Sequence, residues 1–131
     1  MVEVRADVEV IQTEKAAAPI GPYSQAIRAN GFIFVAGEKG IDPTTNQMVP
    51  GGIAAETRQT LENVKNILEE AGSSLSRAVA TTVYLTNISD FAEMNAVYAE
   101  YFTSNPPGRT TVGVASLPAG AQVEITVTAL A

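Results

Sequence analysis

Apolar residues recur along this chain with two different periods, and the change from one to the other marks its elements. Val2, Val4, Ala6, Val8 and Val10 alternate with Glu3, Arg5, Asp7 and Glu9, the period of a half-buried strand. A loop with Ala16-Ala17-Ala18-Pro19-Ile20-Gly21-Pro22 follows. The runs Ala26–Ala29 and Phe32–Ala36 then flank Asn30-Gly31, the pair favoured in a two-residue type I′ turn, so a β-hairpin is expected. Gly37-Glu38-Lys39-Gly40 through Gly51-Gly52 reads as loop, with Asp42-Pro43-Thr44-Thr45-Asn46 supplying turn chemistry. From Ile53 the period becomes helical. Leu61, Val64, Leu68 and Ala71 share a stripe, Glu62, Lys65, Asn66 and Glu69 face away, and Gly72 stands where a helix ends in a left-handed residue. Ala78–Leu85, rich in Val and Thr and apolar on both faces, predicts a central strand. Asp90 is expected to cap a second helix, with Glu93 as the reciprocal partner of a capping box and Phe91, Met94, Tyr98 and Tyr101 as the buried stripe. Asn105-Pro106-Pro107-Gly108 stops it, Thr110–Val114 is a short strand, and Ala121–Ala129 alternates again.

The order β-β-β-α-β-α-β-β describes an α+β fold, with two helices on one face of a sheet and the other face left to water or to a partner. At 131 residues it makes a single domain spanning 1–131. Hydrophobic residues at 46% and charged residues at 17% place it far from the composition of disordered chains. The chain has neither cysteine nor histidine. That excludes disulfides, thiolate nucleophiles, Ser-His-Asp and Cys-His catalysis, and imidazole or thiolate metal sites; no metal is expected. Chemistry must come from Arg, Lys, Tyr, Asp, Glu, hydroxyls or backbone. A net charge of −6 makes nucleic acid a poor partner, since its affinity rests on neutralising phosphates. No apolar leader and no run of 18 apolar residues is present, so a soluble, unexported, cytoplasmic protein with no membrane partner is expected.

Few positions suggest chemistry. Gly37-Glu38-Lys39-Gly40 matches neither glycine-rich phosphate motif and reads as a strand-ending loop. Arg109 follows a stiff Pro106-Pro107-Gly108 approach and opens a strand; it is either a solvated charge or a planar fork for a carboxylate. Glu124 lies on the polar side of a strand whose other side is wholly apolar: a solvated glutamate, or, if an interface buries it, a general acid or base near neutral pH. Tyr23 could set a hydroxyl over a small ligand or simply pack on the surface. Asn95, one turn after Phe91, could turn its amide to a ligand or to a loop carbonyl.

Three segments taken together resemble the RidA/YjgF family, also called the reactive intermediate deaminase or endoribonuclease L-PSP family. They are Ala18-Pro19-Ile20-Gly21-Pro22-Tyr23-Ser24-Gln25-Ala26; Phe34-Val35-Ala36-Gly37 with Ile41-Asp42-Pro43; and Pro107-Gly108-Arg109-Thr110-Thr111-Val112-Gly113-Val114-Ala115-Ser116-Leu117-Pro118 running into Val123-Glu124-Ile125. The resemblance implies a chorismate-mutase-like protomer assembled as a homotrimer around a central barrel, with active sites in the clefts between subunits. It implies hydrolysis of 2-imino or enamine acids such as 2-aminoacrylate to 2-keto acids and ammonia without a cofactor. Arg109 would bind the substrate carboxylate, and Glu124 would position water and shuttle protons. Tyr23, Gly37, Asn95 and the backbone of Thr111 would line the pocket. The chain departs from the common pattern at Ala36, Glu38, Lys39, Gly108 and Thr111, where serine, glutamine, an apolar residue, a direct Pro-Arg step and cysteine are usual. Two other functions are carried beside this one: a ribonuclease or translation inhibitor, which the missing histidine and the negative field oppose, and a noncatalytic metabolite-binding or chaperone-like trimer.

Overall fold

The computed structural model describes residues 7–131. Its main sheet has six strands: β1 (Glu9–Ile11), β2 (Ala26–Ala29), β3 (Phe32–Glu38), β6 (Ala78–Leu85), β7 (Gly108–Gly113) and β8 (Val123–Leu130), in the order β1-β2-β3-β8-β6-β7. A separate two-stranded hairpin, β4 (Ile41–Asp42) with β5 (Gln47–Met48), occupies part of the segment expected to be loop. Within the described residues the first expected strand begins at Glu9. Val2, Val4 and Ala6 lie outside the described residues, and within them Val10 is exposed while Ile11 is buried.

Local chemistry accounts for the boundaries. Asn30 and Gly31 both take positive φ, 52° and 83°, as a type I′ turn demands, and pair Ala26–Ala29 with Phe32–Val35. Helix α1 (Gly52–Glu70) buries Ile53, Leu61, Val64, Ile67 and Leu68. It ends at Gly72 (φ 81°), where Gly72 N donates to Glu69 O and Ser73 N to Leu68 O, the paired bonds of a Schellman motif. Helix α2 (Phe91–Tyr101) joins β6 to β7, the one parallel pair among the described residues, as a crossover connection must.

Two expectations about α2 change. Asp90 makes no side-chain cap, because a 3₁₀ turn at Ile88–Asp90 precedes the helix and Asn87 caps that turn, its Oδ1 accepting from Ser89 N at 3.1 Å. Phe91 is exposed, and Met94, Val97 and Tyr98 form the buried stripe.

The core lies between the helices and one sheet face. Along β8, Val123, Ile125, Val127 and Ala129 are fully buried against it, while Glu124, Thr126 and Thr128 point to the open face, as the alternation predicts; Gln122, just before the strand, instead turns its amide to Glu56 on α1. That open face carries an apolar row running across paired strands, Val10–Ile27–Phe34, with Val10 57% and Phe34 47% exposed.

Candidate functional site

Glu124 and Arg109 sit in different places, and sheet register shows how different. On β6, Thr81, Val83 and Leu85 face the core, so Tyr84 faces the open side. Glu124 pairs with Tyr84 and belongs to the open face; Arg109 pairs with Thr81 and belongs to the helix face. They are three residues apart along β6 and two strand spacings across it, about 10 Å in each direction. One protomer therefore holds two groups of the expected residues, on opposite faces of its sheet.

The first group surrounds Glu124. A β-bulge creates it: between the pairs Val35–Val127 and Glu38–Ile125, β3 advances three residues while β8 advances two. The extra residue leaves Gly37 against Glu124, and a side chain at 37 would collide with Glu124 Oε2. Gly37 is thus required by space and not by backbone conformation. Lys39 Nζ donates to Gly37 O at 3.1 Å and lies 3.8 Å from Glu124 Oε1, an ion pair with little exposure on the lysine side. Ile20, Tyr23, Gly37, Lys39, Pro118 and Glu124 line one concavity. The Tyr23 hydroxyl accepts from Ile20 N at 3.1 Å, which folds the loop back on itself. Buried Gln25 anchors that loop, accepting from Thr13 N at 2.7 Å and donating to Ala17 O at 2.8 Å. Behind this group Glu38 is buried, and desolvation pushes its carboxyl up to about 8, with the Lys39 charge opposing and the Glu124 charge adding to the rise.

The second group lies between β7 and α2. The Arg109 guanidinium carbon is 4.7 Å from the centroid of the Tyr98 ring and 5.5 Å from that of Phe91. These are cation–π distances that hold a planar fork in one orientation. Burial pushes the Tyr98 hydroxyl up, opposed by its 2.8 Å hydrogen bond with Thr81 and by the Arg109 charge. Thr111, two residues beyond Arg109, shares its strand face, and Asn95 shares the helix stripe of Phe91 and Tyr98. Asn95 Oδ1 and Thr111 Oγ1 are buried without a hydrogen-bond partner; among the described residues only Thr57 Oγ1 is a third such side-chain atom. An orphaned buried polar atom is costly, and two of the three fall on expected ligand positions.

Sequence reasoning noticed Lys39 only as a departure from pattern and missed its pairing with Glu124; it also placed Phe91 in the core and not beside Arg109. An apolar residue that repeats a helical stripe carries no local sign that its far end will face an arginine.

The endoribonuclease L-PSP family model matches residues 13–131. The chain belongs to the RidA/YjgF family. Its RidA-family relatives include a RutC family protein of Pyrococcus horikoshii, 55% identical over 117 residues, which are 89% of this chain and 93% of that one. The Bos taurus 2-iminobutanoate/2-iminopropanoate deaminase is 46% identical over 117 residues, covering 89% and 85%. The crystal structure of RidA from the Antarctic bacterium Psychrobacter sp. superposes with a TM-score of 0.91 at 40% identity, covering 94% of this chain and 99% of that one. The RidA-like α+β architecture, two helices over a mixed sheet, is therefore shared with solved members. No helix among the described residues is long and apolar enough to cross a membrane.

Proposed function

We propose that the protein hydrolyses 2-imino acids, and their enamine tautomers such as 2-aminoacrylate, to 2-keto acids and ammonia, in clefts formed between three copies of the chain. The observation that carries the reading is the second group: a guanidinium held flat by two rings, with no carboxylate at ion-pair distance among the described residues, beside two buried polar atoms that lack partners. A substrate carboxylate fits the Arg109 fork, and an imino nitrogen or the second carboxylate oxygen suits the neighbouring Asn95 and Thr111 positions. The relatives named 2-iminobutanoate/2-iminopropanoate deaminase support the reaction class.

The chemistry then needs water and a proton carrier. Glu124 takes a proton from water as its oxygen attacks the imine carbon and hands it to nitrogen; it then carries the adduct's hydroxyl proton to the same nitrogen, so the C–N bond breaks to leave the ketone and ammonia. Tyr23 and Gly37 shape the space over its carboxylate. Since one protomer places Glu124 and Arg109 on opposite sheet faces, a complete cleft takes Glu124 from one copy and Arg109 from the next. The apolar open face around Val10 and Phe34 gives copies a surface to share. A ribonuclease reading, which the family model's description carries, has no histidine to use and meets a net charge of −6.

The test is turnover of 2-aminoacrylate generated in situ. Glu124→Gln keeps shape but cannot carry the proton, so kcat should fall by about 10² to 10⁴ while a 2-keto acid still binds. Arg109→Lys should instead weaken that binding, since it keeps the charge and loses the two-point fork. Wild-type turnover by both variants would end the proposal.

A further inference from the structure

Three ionisable side chains crowd the end of β3, and the hydrolytic scheme uses one of them. Glu38 and Lys39 are both buried, an uncommon state for either residue type unless its charge is compensated. The bulge in β3 makes them neighbours of Glu124 from two sides. Glu38 pairs with Ile125 and so is turned toward the core, whereas Lys39 reaches the open side, where its ammonium is shared by Gly37 O and Glu124 Oε1. The other groups around the cluster are accounted for. Tyr84 stands across from Glu124 on β6, Tyr23 lines the cavity from the 16–23 loop, and the nearest acid on α1, Glu56, already accepts from Gln122 N and Nε2 at 2.8 Å each. Among the described residues Lys39 is the cation at ion-pair distance from Glu124, and its charge also acts on Glu38.

We propose that Glu38 and Lys39 act together as positioning residues for Glu124: the Lys39 ammonium, shared by Gly37 O and Glu124 Oε1, steadies the Glu124 carboxylate over Gly37, and Glu38, buried on the core side, bears on that ammonium from behind. The role rests on the imine-hydrolase reading, in which Glu124 must both take and return a proton at a fixed place. A carboxylate without Lys39 would turn away from the crowded Gly37 position toward solvent. A charged Glu38 would draw the ammonium back toward the core and add a second anion behind the first. Burial keeps Glu38 protonated until about pH 8, which is why the arrangement holds at neutral pH.

The experiment combines a carboxyl carbon NMR titration with steady-state kinetics on the whole protein, its fold checked by thermal melting. The Glu38 signal, assigned by its loss in Glu38→Gln, should titrate near pH 8 and move upward in Lys39→Leu. With 2-aminoacrylate as substrate, Lys39→Leu should lose about tenfold in kcat with KM within about twofold, because the Arg109 group is untouched. Lys39→Arg should recover most of that loss, whereas Glu38→Gln in the Lys39→Leu background should recover none of it, because Glu38 is already uncharged there. Wild-type kcat should decline as pH passes 8, a decline that Glu38→Gln abolishes. Lys39→Leu with unchanged kcat and pH profile, or a double variant Glu38→Gln/Lys39→Leu that regains the wild-type kcat, would overturn the proposal. If the Glu38 titration responds to Lys39→Leu as described but wild-type protein yields no keto acid, the charge coupling stands and the imine-hydrolase reading fails.

Discussion

At the scale of the residue, Gly37 shows how one hydrogen atom in place of a side chain makes room for the Glu124 carboxylate. In Gly37→Ala the new methyl group and Glu124 Oε2 would compete for one place, and the carboxylate, being the end of a flexible chain, gives way. A displacement of that kind typically costs about 10² in rate, so kcat should fall by that order while the melting temperature stays near wild type. Glu38 makes a thermodynamic prediction. Its carboxyl titrates at 4.5 in an unfolded chain and near 8 in the folded one, so between those values the unfolded state releases a proton that the native state keeps. Stability should therefore be fully present below pH 4.5, fall as pH rises toward 8, and level off above. Glu38→Gln should flatten that fall and add on the order of 3 kcal/mol at pH 8, read from urea midpoints at several pH values. The facing of Glu124 was legible in the strict alternation of its strand. Its partner Lys39 was not, because the contact depends on a bulge in another strand, a matter of long-range register that no local period records.

At the scale of elements, periodicity and punctuation located most of the fold. The Asn30-Gly31 turn, the helix ending at Gly72 and the strand Ala78–Leu85 stand where patterning puts them, each because a local rule and a buried face agree. The β4–β5 hairpin escaped notice, since two-residue strands are too short to show alternation. The start of α2 was misassigned for a different reason. Asn87 and Asp90 are both good caps, and a 3₁₀ turn between them decides which side chain meets a free N–H. It follows that Asn87→Ala should destabilise the protein by about 1 kcal/mol while Asp90→Ala changes stability by less than about 0.5, measured by chemical denaturation. Equal effects would place the cap at both residues.

At the scale of the whole molecule, every residue expected to form the site is present, but a single sheet carries the two groups on opposite faces. The motifs that disclosed Arg109 and Glu124 gave no sign of this separation, which follows from pairing across β6 and from the parallel crossover through α2. Division of the groups between faces has a genetic corollary. A gene encoding Arg109→Ala and a gene encoding Glu124→Ala should each yield an inactive protein, yet a cell expressing both in equal amounts should regain activity. In random mixtures of the proposed trimer, about one proposed cleft in four joins an intact Glu124 from one product to an intact Arg109 from the other. Recovery near a quarter of the wild-type rate in the purified mixture, with none from either product alone, would show that inheritance of this activity can be shared between two defective alleles.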